Sequence, residues 1–269
     1  QLGGATPYLP SEIGTGYVIS GGSPDVTPET SDSISAGLVW QPQFLQGLDL
    51  TLDYWNIKLD NMITAISQQN ILNLCVHLPS TDNEFCDRVT RDARGYAEGV
   101  DTSYMNVSES EAKGIDLGAN YRFDLGPGRL SMGLRASYLL KYETTTLPGV
   151  DTSRIIYDGG YQNPDLRGNL SMTYDVGDWE IGLNNRYWGK ALNYTNVSSE
   201  AYDRNKLPAR LYNDLAVGWH MNERTVFRVG INNLFDVQPP YRPRTYYQGG
   251  GGVYDVYGRY FYFNAKVSF

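Results

Sequence analysis

The chain has 269 residues, 41% apolar and 13% aromatic, with 22 Tyr, 29 Gly and a formal charge of -8 at pH 7. It holds no run of about 18 apolar residues, which excludes membrane-spanning helices, and no nucleic-acid partner is expected. A mean hydropathy of -0.42 would suit a soluble protein, but a barrel with a polar lumen and polar loops gives the same average, and Tyr concentrates at membrane interfaces.

Residues 1–32 are polar and rich in Gly and Pro, without a basic and apolar leader, so no signal peptide is expected there. They read as an outer loop, and residues 33–269 as nine strands. In 33–41, Ile34, Ala36, Leu38 and Trp40 share one face. After a short link, 47–60 sets Leu48, Leu50, Leu52 and Tyr54 against Asp49, Thr51, Asp53 and Trp55. Residues 110–123 set Ile115, Leu117, Ala119, Tyr121 and Phe123 against Asp116, Gly118, Asn120 and Arg122. Residues 128–141 set Leu130, Met132, Leu134 and Ala136 against Ser131, Gly133 and Arg135. Such period-2 alternation marks strands with one apolar and one wet face.

The second half continues the pattern. Residues 165–176 oppose Leu170, Met172 and Tyr174 to Arg167, Asn169 and Ser171, and a Gly177-Asp178 turn leads into 179–190, with Ile181 and Leu183 opposite Glu180, Asn184 and Arg186. Residues 208–221 alternate Leu215, Val217 and Trp219 with Asp214, Ala216 and Gly218. An Asn222-Glu223 turn precedes 224–234, where Phe227, Val229 and Ile231 oppose Arg228, Gly230 and Asn232. The last strand puts Phe261, Phe263, Ala265, Val267 and Phe269 on one face and Tyr260, Tyr262, Asn264, Lys266 and Ser268 on the other. Sandwich strands average about five or six residues and tilted membrane strands need about 9 to 11, so length favours lipid as the apolar medium.

Short turns at 42–46, 124–127, 177–178 and 222–223 alternate with long connections at 61–109, 142–164, 191–207 and 235–258. Outer-membrane barrels have short periplasmic turns and long extracellular loops. The fold class expected is therefore all-β, a portion of an antiparallel transmembrane β-barrel. Bacterial single-chain barrels use even strand numbers, and an open nine-stranded sheet would leave two long exposed edges, so the chain reads as part of a closed barrel.

Several stretches carry a family resemblance: "TPETSDSISAGLVWQP" (Thr27 to Pro42), "GLDLTLDYWNIKLDNMI" (Gly47 to Ile63), "SEAKGIDLGANYRF" (Ser110 to Phe123), "GINNLFDVQPP" (Gly230 to Pro240) and "YDVYGRYFYFNAKVSF" (Tyr254 to Phe269). In this order they resemble the C-terminal portion of TonB-dependent outer-membrane receptors, the third being similar to the strand after that family's paired-Cys loop. The resemblance implies active import of a scarce nutrient across the bacterial outer membrane. The family's barrels have 22 strands around an N-terminal plug, so the plug, the TonB-contacting segment and roughly 13 strands would lie outside this sequence. Partners implied are those missing parts, the TonB complex, the barrel-assembly machinery, outer-membrane lipid and lipopolysaccharide. Phe269 resembles the terminal aromatic that the assembly machinery recognises, and equally suits an interfacial anchor. A passive porin or structural barrel built from several chains is the alternative.

Cys75 and Cys86, the only cysteines, stand within one long connection. In a periplasm-assembled protein such a pair is usually a disulfide. A metal site with His77 is the rival reading, but Cys-x-His-x8-Cys is not a zinc spacing and lacks a fourth ligand. His77 and His220 stand far apart, no nucleophile elbow occurs, and Gly249–Gly252 precede no Lys-Ser/Thr pair as a phosphate loop requires. Neither an enzyme activity nor a cofactor is expected.

The long connections are acidic: residues 1–32 hold four acids and no base, and 61–109 seven acids and three Arg. An acidic vestibule repels anions, which favours a neutral oligosaccharide over an anionic ferric siderophore. Trp55, Trp188, Tyr194, Tyr202, Tyr246 and Tyr247 are candidates to stack on a ligand, or are girdle residues. Asp49, Asp53, Asp116, Arg122, Arg135, Arg167, Arg186, Asp214, Arg228 and Lys266 are expected to face the lumen, where they would bind the plug or neutralise one another.

Overall fold

The computed structural model describes residues 16–78, 80–146, 153–195, 205–242 and 253–268. In chain order the elements are β1 (Tyr17–Ile19), β2 (Thr30–Trp40), β3 (Leu48–Thr64), α1 (Gln68–His77), α2 (Glu84–Asp87), β4 (Val89–Arg91), β5 (Ala97–Asp101), β6 (Met105–Leu125) and β7 (Gly128–Thr145). They are followed by β8 (Arg154–Ile156), β9 (Leu166–Val176), β10 (Trp179–Trp188), β11 (Ala191–Leu192), β12 (Lys206–Leu207), β13 (Arg210–Asn222), β14 (Thr225–Asn232) and β15 (Tyr260–Val267). The chain divides into two compact units, one formed by residues 1–31, 59–110 and 145–153 and the other by 32–58, 111–144 and 154–269.

The larger unit is built on a long antiparallel sheet of order β15-β14-β13-β10-β9-β7-β6-β3-β2, with β8 paired to β7. The strands anticipated from the alternation all lie on this path, each beside its sequence neighbours. β3, β6 and β7 run well beyond their expected ranges, with 17, 21 and 18 residues. A tilted strand crosses the hydrocarbon layer in about 9 to 11 residues, so their length exceeds what the membrane requires.

Register fixes the two faces. Ile181 pairs with Val217, Val217 with Val229 and Val229 with Phe263, which makes one apolar row across four strands. One step toward the turns, Trp179, Trp219 and Phe227 stack with centroid spacings of 6.1 and 5.9 Å. On this face Ile34, Leu38, Phe261 and Phe263 are about two-thirds exposed. A sandwich would bury those side chains against a second sheet; a barrel offers them to lipid.

Turn chemistry sets that register. The β9–β10 hairpin closes through Gly177 at φ 55°, with Val176 opposite Trp179, the positive φ that a tight hairpin turn demands. Gly47, at φ 86°, lies so close to the Arg122 carbonyl that a side chain there would strike backbone. Two expected boundaries shift. The β13–β14 turn is Glu223–Arg224, not Asn222–Glu223, because the ladder slips between His220 and Asn222 and the Asn222 side chain accepts the Arg224 N–H at 2.9 Å. β14 stops at Asn232 and does not reach Leu234, since Asn233 takes φ 52° and its side chain bonds the Val237 backbone as both donor and acceptor.

The long connection 61–109 lies within the smaller unit and carries secondary structure of its own. A sheet of order β1-β5-β4 and two short helices enclose Ile66, Ile71, Cys75, Phe85, Val89, Val100 and Met105. Ser67 caps α1 by accepting from the Asn70 N–H, and Asn83 caps α2 by accepting from the Phe85 and Cys86 N–H groups at 3.0 Å. Cys75 and Cys86 are disulfide-bonded, with Cα atoms 4.5 Å apart. Strands of three to five residues hold too little periodicity to be seen in sequence.

Candidate functional site

The polar face of the larger unit assembles from alternate residues of adjacent strands. Asn169 stands opposite Arg135 on one side and Arg186 on the other, and Asp214 opposite Asn184. Glycines leave room for the long side chains: a Cβ at Gly118 would meet Thr51 and, at 3.4 Å, Arg135, and one at Gly37 would strike the Asp53 carboxylate. Small residues on a strand face thus let charged neighbours lie along the sheet.

Polar pairs tie this face across strands. Ser137 donates to Asp116 at 2.6 Å, Asn169 to Asn184 at 2.8 Å, and Gln41 to Asp49. Arg228 pairs with Glu180. Lys141 bridges Glu111 at 2.6 Å and Glu143 at 2.7 Å. Along this face runs an open cleft of about 580 Å³, lined among others by Asp53, Asp116, Arg135, Arg167, Arg186 and Trp188. Arg135 reaches only the Asn120 side chain and the Leu134 carbonyl, and neither it nor Arg167 has a carboxylate partner among the described residues. Arg122 and Lys266 stand on the same alternation, exposed, away from the cleft.

Beside the cleft Arg186 meets two carboxylates. Its Nε donates to Asp214 at 3.2 Å, while Nη1 and Nη2 grip both oxygens of Asp255 at 3.1 and 2.6 Å. The Asn233 N–H donates to Asp214 at 2.8 Å. Tyr212, fully buried, lies 5.3 Å beneath the guanidinium, and Tyr254, also buried, packs 6.4 Å from Trp188. Burial pushes the Tyr254 phenol above its usual pKa. Asp255 and Tyr212 escaped the sequence reading: Asp255 lies 69 positions from Arg186, and no local pattern reports a contact at that range.

The three predicted aromatics among the described residues, Trp55, Trp188 and Tyr194, stand in different surroundings. Trp55 lies against Gly114, whose Cβ would come 2.7 Å from the indole. Trp188 lines the cleft, and Tyr194 is held by backbone bonds to the Asn205 side chain at 2.9 Å in each direction. Tyr202, Tyr246, Tyr247 and Phe269 lie outside the described residues, as does the His77 side chain. Among the described residues no group of acids, His and Cys is placed to hold a metal ion.

A long antiparallel sheet with an apolar face, a polar face, tight turns at one end and long connections at the other is wall of an outer-membrane β-barrel. The chain belongs to the TonB dependent receptor-like, beta-barrel family, whose model matches residues 3–234. No curated protein matches it in sequence. Among solved structures it is similar to the siderophore receptor PirA from Acinetobacter baumannii, at 17% identity and a TM-score of 0.60, over 93% of this chain and 33% of that one. A ferric enterobactin receptor mutant of Pseudomonas aeruginosa, PfeA G324V, gives 17% identity and 0.58 over 90% and 31%. The FrpB iron transporter from Neisseria meningitidis gives 13% and 0.55 over 93% and 33%. At these identities the likeness is one of fold, and the chain spans about a third of each.

Proposed function

We propose that this chain is the C-terminal part of the barrel of a TonB-dependent importer, and that the receptor carries a ferric siderophore across the outer membrane. Membership of the receptor family over residues 3–234 supports the import. The observation that carries the ligand class is the row of Arg135, Arg167 and Arg186 along the cleft, the first two without carboxylate partners among the described residues. Guanidinium groups bind carboxylate and catecholate oxygens through paired N–H donors. The names of the similar structures, a siderophore receptor and a ferric enterobactin receptor, agree with this reading. The acidic connections favour a second ligand class, neutral oligosaccharides, stacked on Trp188 at the cleft.

In the complete receptor the polar face would surround the plug, which Arg, Asp and Asn side chains can hold through hydrogen bonds that break and re-form. The unpaired edges of β2 and β15 would join the remaining strands, and Phe269 would serve the assembly machinery. The test is uptake by cells expressing the full-length receptor, with and without TonB, of radiolabelled iron as ferric enterobactin and of labelled maltodextrin. TonB-dependent iron uptake is expected. Sugar uptake alone would replace the ligand class, and transport indifferent to TonB would overturn the import reading.

A further inference from the structure

The strongest unassigned feature of the polar face is the grip of Arg186 on Asp255. β10 and β13 supply Arg186 and Asp214 from adjacent strands, whereas Asp255 comes from the long connection between β14 and β15. That connection is bound near both its ends. Asn233 bonds Val237 twice, Arg210 Nε donates to the Gln238 carbonyl at 2.7 Å, and the Arg259 N–H donates to Asp236 at 2.9 Å. Tyr254 and Asp255 then fold onto the polar face, the ring beside Trp188 and the carboxylate in the guanidinium fork.

Two-point binding of a carboxylate by Arg186 is also how arginine would take the acid group of a ligand. Asp255 therefore stands where such a group would bind. We propose that Asp255 is a built-in competitor: it straps the β14–β15 connection to Arg186, and an anion carrying carboxylates displaces it, releasing Tyr254 and the segment around it. Asp214 stays bound to Arg186 and to the Asn233 N–H, so the exchange leaves the wall intact. Arg167 supplies a second cation for the incoming anion. It stands opposite Trp188, two positions along β10 from Arg186, lines the same cleft, and has no carboxylate partner among the described residues. Diagonal neighbours in antiparallel strands are within reach of long side chains.

This regulation rests on the reading of the polar face as the ligand's path, but it is tested without the transported ligand. The probe is citrate, a small tricarboxylate, added to full-length receptor purified in detergent. Hydrogen exchange is followed by mass spectrometry in peptides covering 253–258, and citrate affinity by calorimetry. Citrate should speed exchange in those peptides of the unmodified receptor and leave β9 and β10 unchanged. Asp255→Asn should show the fast exchange without citrate and bind it about tenfold more tightly, the scale of coupling between two groups that compete for one partner. Arg186→Gln added to Asp255→Asn should abolish the gain. Exchange at 253–258 indifferent both to citrate and to Asp255→Asn, or a citrate affinity that ignores the substitutions, would overturn the strap. Absence of TonB-dependent uptake would overturn the import reading and leave these measurements standing.

Discussion

Replacing Cys75 and Cys86 together by Ala should loosen the smaller unit while sparing the long sheet. The bond closes a loop between residues 11 apart, and in the chain-entropy model such a cross-link stabilises by about 3 kcal/mol at 25 °C. Cys75 is 1% exposed within the cluster of Ile66, Ile71 and Phe85, so loss of the sulfur atoms should add about 1 kcal/mol of lost packing. Alanine is the suitable replacement, because a serine hydroxyl at position 75 would be buried in an apolar cluster. The cross-link alone corresponds to roughly a hundredfold rise in local opening. The assay is hydrogen exchange by mass spectrometry on the full-length receptor, comparing peptides within 66–101 with peptides from the β9–β10 hairpin. Faster exchange confined to 66–101 is expected, and reduction of the unmodified receptor should reproduce it. Unchanged exchange there would mean that the helix caps and the apolar cluster suffice without the cross-link, and would refute the reasoning.

Val217→Arg, on the apolar row, should lower the stability of the inserted barrel by about 2 to 4 kcal/mol near the bilayer midplane, measured by folding into lipid vesicles at graded urea. Gly182→Arg, on the opposite face where an added Cβ meets nothing within 4 Å, should fold nearly as well as the unmodified receptor; equal damage at both sites would show that the faces are misassigned. Gly47→Ala should lower the urea midpoint by the equivalent of about 1 to 3 kcal/mol, since it places a side chain at φ 86° against the Arg122 carbonyl. Hydrogen bonds from Ser103 hold the Asp101 carboxyl below the usual aspartate range, with Arg88 contributing. A depressed folded-state pKa stabilises above the unfolded value, and that stabilisation is lost as pH falls through the folded one. Exchange in the smaller unit, taken relative to the intrinsic amide rate at each pH, should therefore rise on acidification below the usual aspartate pKa, and Asp101→Asn should weaken that rise.

The strands and their two faces were legible in the sequence because each is a local, period-2 pattern: Leu215, Val217 and Trp219 against Asp214, Ala216 and Gly218 need no distant information to be read. The cysteine pair was legible because both residues stand in one connection. Element ends were less so, since they depend on backbone geometry, such as Asn233 at positive φ or the slip at His220, that composition does not reveal. The packed unit within 61–109 was invisible because its strands are too short for a period, and its core joins Ile66 to Val100 and Met105 only after the chain has turned back on itself. The tertiary structure alone decided the partners of the charged residues. Alternation placed Arg186, Arg167 and Asp214 on the polar face, but that Arg186 grips Asp255 while Arg167 meets no carboxylate among the described residues follows from strand register and from the path of one connection. Side-chain direction is set locally, by the pleat; side-chain partnership is set by which strands and loops the fold brings within about 3 Å.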